Sequence, residues 1–214
     1  MRSRFDEQLE QLNREMITMG MLCENAIEKA AQALLENDSE LAGRLPELQT
    51  QVNHKEREIE NICLRLLLHQ QPVAKDLRTV SAALKMVTDI ERIGDQSTDI
   101  AEIISMSHIH GVDESLPIRE MAAAVIKMVT DSMDAFVKRD IKIAKTVVKY
   151  DDVLDGYFND VKGALIDRLK EAESDGEEIL DLLMVAKYFE RIGDHAVNIA
   201  NWVLFSITGI LMKG

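Results

Sequence analysis

Asp89 to Glu102 reads DIERIGDQSTDIAE, and Tyr188 to Asn201, ninety-nine residues later, reads YFERIGDHAVNIAN. From Glu91 onward, seven of the twelve aligned positions are identical. At about 100° per residue a helix places Glu91, Asp95, Asp99 and Glu102 at about 0°, 40°, 80° and 20°, so four carboxylates share one stripe. Glu190, Asp194, Asn198 and Asn201 repeat that stripe with two amides in place of acids. Upstream the line runs through Val80 and Leu84 in the first copy and Ile179 and Leu183 in the second, so the acids prolong a row that begins as core. Gly94 and Gly193 interrupt both helices at the same place, at about 1 kcal/mol each relative to Ala. Something must approach the backbone closely there, either another helix or a ligand.

Like charges four residues apart on a helix repel by a few tenths of a kcal/mol per pair, on the order of 0.3. A cation reverses that sign. One reading of the stripes is therefore a metal site; the other is a solvated face paired to cations such as Arg92 and Arg191. Oxygen donors without clustered cysteine or histidine suit Mg, Mn or Ca, and carboxylate-rich sites between helices also hold Fe or Zn.

A chain of 214 residues with 46% hydrophobic content is long enough for one sizeable core or two small domains. Its net charge of −13, from 38 acidic and 25 basic residues, argues against a nucleic-acid partner, and no basic stripe or aromatic platform is visible. Cys23 and Cys63 lie inside helix-like patterns and read as small core residues. Met1 to Glu15 is charged throughout and lacks the apolar stretch of a signal peptide, so a cytoplasmic location is expected. The most apolar segment, Trp202 to Met212, falls short of the roughly twenty residues a membrane helix needs. It is expected to pack on the body of the protein or on a partner. No glycine-rich phosphate loop, nucleophile elbow or catalytic cysteine setting is present.

Apolar residues spaced three and four apart predict a first helix from Phe5 to Leu35, ended by Asn37, Asp38 and Ser39. A second begins near Ser39, is disturbed or restarted at Pro46, and runs to about Gln70. Pro72 sits where a first helical residue would, and a third helix carries the chain through the acidic stripe to Ser107. His108 to Leu116 reads as a joint. The pattern then starts over: a helix from Ile118 to Val137, Asp140 as an N-cap, a fifth helix to about Glu171, a turn at Glu173 to Gly176, and a sixth helix with the second stripe. No alternating strand pattern survives beside these periods. The expectation is an all-α protein, a tandem repeat of two antiparallel three-helix bundles with six long helices. The first repeat is residues 1–107, the joint 108–116 and the second repeat 117–214.

Two copies of ERIGD, each followed by an acid or amide and then IA, together with QPVAKDLR from Gln71 to Arg78, resemble the metal-binding signature of the PhoU family. These proteins regulate bacterial phosphate uptake and phosphate-responsive signalling, and the resemblance covers almost the whole chain. It implies tandem three-helix bundles whose motif of acid, three residues, acid can hold multinuclear metal clusters at the surface. Carried over, the motif positions are Glu91, Asp95 and Asp99, then Glu190, Asp194 and Asn198. Glu102 extends the first set. Asn198 and Asn201 depart from an all-acid pattern, since an amide oxygen ligates without adding charge. By helix adjacency, Asp152 and Asp155 are candidates to restore charge there, and Glu56 or Glu58 to serve the first site.

The cofactors so implied are divalent or trivalent ions, Fe, Zn, Mn or Mg. The partners implied are the ATPase of the phosphate ABC transporter and the phosphate-sensing histidine kinase, bound so as to repress uptake and signalling, with peripheral membrane association through them. A homodimer is expected, and no catalytic step is implied. Two alternatives stay open. A di-metal carboxylate enzyme would need Glu-x-x-His on facing helices, which neither stripe contains; His195 reads as a surface residue. A metal-free helical scaffold would reduce the stripes to salt-bridged faces.

Overall fold

The computed structural model describes residues 2–69, 74–106, 109, 112, 115–171 and 174–211. Among them are six long helices and one short one: α1 (Arg2–Glu36), α2 (Ser39–Ala42), α3 (Leu45–His69), α4 (Ala74–Met106), α5 (Ile118–Lys138), α6 (Ile141–Arg168) and α7 (Gly176–Thr208). No strand occurs among the described residues. The expected helix start at Pro72, most of the joint at 108–116 and Glu173 lie outside them.

Sequence chemistry sets the helix ends. α1 stops where Asn37 turns left-handed at φ 52°, and α5 stops where Arg139 does so at φ 53°. In both, the next residue is an aspartate whose N–H returns to the last turn, Asp38 to Ala33 O at 2.8 Å and Asp140 to Ala135 O at 3.0 Å. That same aspartate caps the following helix: Asp38 accepts from Leu41 N, and Asp140 from Lys142 N and Ile143 N. Asp175 caps α7 in the same way. Pro46 is the second residue of α3, in a first turn where a missing N–H forfeits no helical hydrogen bond. The disturbance expected there is thus a restart after the single turn of α2. α6 ends at Arg168, slightly before the expected Glu171.

Helices α1, α3 and α4 pack pairwise as one three-helix bundle, and α5, α6 and α7 as the other. The most extensive contact in the molecule lies between the bundles, where α4 meets α7, and α1 also meets α5. One apolar cluster runs through both halves, from Met16, Ile59 and Ile90 to Val185, Phe189 and Val203. The two stripe-bearing helices are therefore the central pair. They run antiparallel: Asp89 meets His195 and Asn198, while Asp99 lies near Arg191 and Tyr188.

Cys23 and Cys63 are buried core thiols, as expected. Cys23 donates to Ile90 O at 3.2 Å, and burial pushes the Cys63 thiol up to about 12. Of the apolar C-terminal segment, Val203, Leu204 and Ser206 are buried and Ile210 and Leu211 are exposed. No helix among the described residues is long and apolar enough to cross a membrane.

Candidate metal centres

The first acid set forms where α3 crosses α4. Val52 and Ile59 bury one face of α3, and Glu56 between them comes to the edge of that face, opposite Glu91 and Asp95. Burial raises the Glu91 carboxyl to about 7, and the charges of Asp95 and Glu56 add to the shift. Glu56 is raised by burial, then by Glu60 and Asp95. Gln49 donates to Asp95 Oδ1 at 2.5 Å. Arg92 lies 3.7 Å from Glu91 and 3.5 Å from Asp95 on the exposed side, a loose pairing.

The second set forms where α6 crosses α7, on the same plan. Val147 and Leu154 bury one face of α6, and Asp151 between them faces Glu190 and Asp194. Burial raises the Asp151 carboxyl to about 6, with Asp155, Asp194 and Glu190 adding to it. Asp194 is raised by burial and by Glu190, an effect that Lys187 opposes. Lys187 is ion-paired to Glu190 and sits over the Phe158 ring at 5.4 Å.

Both motif glycines are sites of close helix approach, and the intruder is protein. A side chain at Gly94 would collide with Gln49 Oε1 and press Val52 Cγ1 at 3.2 Å; one at Gly193 would collide with Leu154.

The family model for the PhoU domain matches this chain twice, over residues 16–104 and 118–203. The chain belongs to the PhoU family. A phosphate-specific transport system accessory protein PhoU homolog from Pseudomonas putida is 34% identical over 207 residues, 96% of this chain and 81% of that one. Its Clostridium acetobutylicum counterpart is 34% identical, covering 96% and 94%. The crystal structure of PhoU from Pseudomonas aeruginosa superposes with a TM-score of 0.89 at 33% identity, covering 96% of this chain and all of that one. The phosphate transport system regulatory protein PhoU from Streptococcus pneumoniae gives 0.89 at 27% identity, covering 98% and 99%. The family and the all-α double-bundle fold expected from the repeated ERIGD are both borne out.

The PhoU motif positions do not all gather in one place. Glu91 and Asp95 join one cluster, Glu190 and Asp194 the other. The third positions, Asp99 and Asn198, look across the α4–α7 seam: Asp99 is raised by burial and by Asp95 and Glu102 and held back by Arg191, while Asn198 donates to Asp89 at 3.2 Å. Glu102 is exposed. On α6, Asp155 joins the second cluster and adjoining Asp152 is exposed and contributes less to it than Asp155 does. Glu58 is paired with Lys55, which also holds Glu15 of α1, so Glu56 rather than Glu58 serves the first cluster. His195 is not a free surface residue; its Nδ1 lies 2.9 Å from Asp89 Oδ1 with a fifth of its side chain exposed.

Asp151, Glu60 and Asp89 were missed by sequence reasoning. A signal for the first two exists: Glu56 and Glu60 on α3, and Asp151 and Asp155 on α6, repeat the acid, three residues, acid spacing ninety-five residues apart. In the second site both members of the α6 pair act on the α7 acids or their partner, while in the first Glu56 meets Glu91 and Asp95 and Glu60 acts on Glu56.

The donor chemistry fits a hard cation. Carboxylates held above their ordinary range by burial and by one another would recover that energy on meeting a positive ion. Among the described residues no three His, Cys, Asp or Glu side chains converge on one point, so ligation would require side chains to turn within each cluster.

Proposed function

We propose that this chain is a non-enzymatic, metal-responsive adaptor in the regulation of phosphate transport. It would bind the phosphate ABC transporter ATPase and the phosphate-sensing histidine kinase and repress uptake and signalling when phosphate is ample. The reading rests on family membership, on relatives named as accessory and regulatory proteins of phosphate transport, and on one geometric observation. In each repeat acids of two helices face each other across their crossing, Glu56 opposite Glu91 and Asp95 in the first and Asp151 opposite Glu190 and Asp194 in the second, and their charges raise the proton affinity of Glu56, Glu91, Asp151 and Asp194. Divalent or trivalent ions, Fe, Zn, Mn or Mg, would occupy the clusters in the cytoplasm of a homodimeric protein. Bound cations would neutralise the repulsion within each cluster and turn two acidic faces into ordered docking surfaces. In the protein itself, Gln49 holds one oxygen of Asp95, and Lys187 one of Glu190, which restricts how those carboxylates turn.

A metal-free scaffold is the competing reading, favoured by the Arg92 pairing and the lack of a converged triad. Metal content by mass spectrometry separates the two, on untagged protein purified without chelator beside the double variant Asp95→Ala/Asp194→Ala. Whole-number metal in the parent, lost in the variant, supports the adaptor with metal. Capture of the transporter ATPase and the kinase, with and without metal, then tests the partners. No metal in either protein after loading with Fe, Zn, Mn or Mg returns the clusters to the scaffold reading.

A further inference from the structure

The helices α3 and α6 are equivalent elements ninety-five residues apart, and their inner faces agree: Val52, Ile59 and Leu66 on one answer to Val147, Leu154 and Val161 on the other, all buried. Their outer faces do not agree. On α3 an open groove of about 670 Å³ is lined by Arg57, Asn61, Leu64, Arg65 and Leu68, with Leu64 49% and Leu68 75% exposed. The same positions on α6 hold Asp152, Gly156, Asn159, Asp160 and Gly163, again all exposed. Two equivalent helices in one fold thus carry opposite charge on the same face, and packing within the chain asks for neither arginine nor leucine there.

Among the described residues the salt bridges of α3 join Lys55 to Glu15 and Glu58, and neither Arg57 nor Arg65 takes part in one; Asp152 and Asp160 have none either. Arg57 reaches Glu56 only through its field. Glycine in a helix interior is costly relative to alanine, yet a Cβ at Gly156 or Gly163 would meet nothing within 4 Å, so neither makes room for a neighbour in the same chain as Gly94 and Gly193 do. Arg57 and Arg65 stand eight residues apart, about 12 Å along the helix axis, and Asp152 and Asp160 have the same separation, so the charges match whichever way the two helices run. We propose that the α3 face of one copy docks on the α6 face of a second copy of this chain, with Arg57 and Arg65 against Asp152 and Asp160 and with Leu64 and Leu68 over the bare backbone at Gly156 and Gly163. The contact is heterologous, so it closes on two copies only if both α3–α6 pairs form at once and otherwise adds further copies. A net charge of −13 repels a second copy at a distance, but at 0.15 M salt that field decays over about 8 Å and the opposite charges in contact decide. The inference rests on the reading of the protein as self-associating and names the surfaces that join the copies.

The test is sedimentation velocity over a range of protein concentrations at that salt, with chelator present so that metal plays no part. The parent should exceed the mass of one chain, increasingly so as concentration rises. Arg57→Asp/Arg65→Asp should weaken association about tenfold or more, because like charges then meet, and Asp152→Arg/Asp160→Arg should do the same. Mixing the two variants should restore it, since each supplies the charge that the other has lost. Gly163→Leu, which adds a side chain in open space and improves helix propensity, should block association without lowering the melting temperature. Charge variants that associate as the parent does, or a mixture that stays dissociated, overturn the inference while leaving self-association through another surface intact. A parent that keeps the mass of one chain at every concentration overturns the homodimeric reading, and this inference with it. Matching thermal melts across the charge variants exclude misfolding as the cause.

Discussion

The helices α4 and α7 share seven residues of a fourteen-residue stretch, the ERIGD run among them, yet their surroundings differ. Around Gly94 the neighbour is the tip of Gln49, a polar group hydrogen-bonded to Asp95; around Gly193 it is Leu154, a fully buried branched side chain. In the first repeat the acids are covered loosely by exposed Arg92, in the second by Lys187 paired to Glu190. What is common to both is acids that face each other across a helix crossing. The comparison teaches that the repeat preserves a charge arrangement between two helices while the groups that support it are free to change.

The widest difference is expected at the glycines. Gly193→Ala forces buried Leu154 to move, and overpacking of that kind should cost roughly 2 kcal/mol, about 6 °C in melting temperature for a chain of this size. Gly94→Ala displaces the flexible end of Gln49 and presses buried Val52 by a few tenths of an ångström, and the gain in helix propensity of about 1 kcal/mol offsets much of that cost and of the lost hydrogen bond. Paired thermal melts read the contrast. Equal losses would mean that the apolar and polar neighbours constrain the backbone alike.

Next comes the pH dependence without added metal. Glu91 and Asp151 bind protons more readily in the folded chain than in the unfolded one. Each therefore adds stability that is complete below the unfolded carboxylate range and is lost as pH rises through the folded value. That loss runs up through about 7 for Glu91 and about 6 for Asp151 and ends just above those values. The melting temperature of the metal-free protein should fall by about 4 °C between pH 5 and pH 8. Glu91→Gln should flatten the upper part of the fall, and Asp151→Asn the lower part. A profile that neither substitution changes would remove the electrostatic account of both clusters.

The smallest contrast lies at the left-handed residues that end α1 and α5. Asn37 tolerates that conformation, so Asn37→Ala should cost about 1 kcal/mol. Arg139 tolerates it less, but its guanidinium donates to Thr79 Oγ1 at 3.1 Å and ties α5 to the first turns of α4. Arg139→Gly should change stability by under about 0.5 kcal/mol, because relief of the backbone offsets the lost bond. Denaturant midpoints decide it; a clear gain would show that the Thr79 contact contributes nothing.

Much of this architecture was legible in the sequence because helical period, aspartate caps and an internal repeat are local signals. Asp140 could be assigned as a cap from its neighbours alone, and the stripe from its spacing. The facing helices were harder to read. Choosing Asp152 over Asp151, or leaving Glu56 and Glu58 undecided, follows from knowing that two helices adjoin without knowing their rotation. The phase of the buried residues settles it: Asp151 is four after Val147 and three before Leu154, and Glu56 is four after Val52 and three before Ile59. The partnership of Asp89 with His195 and Asn198 had no local signal, because it depends on the register of α4 against α7, which only tertiary packing sets.

Because the broadest helix contact joins the two repeats instead of lying inside either one, covalent continuity between Met106 and Ser115 adds little to their association. A protease that severs that connection would leave two fragments travelling as one particle, parted only by denaturant. A fragment produced alone would carry an uncovered α4 or α7 face, and a second copy of the same fragment is the nearest available match for it.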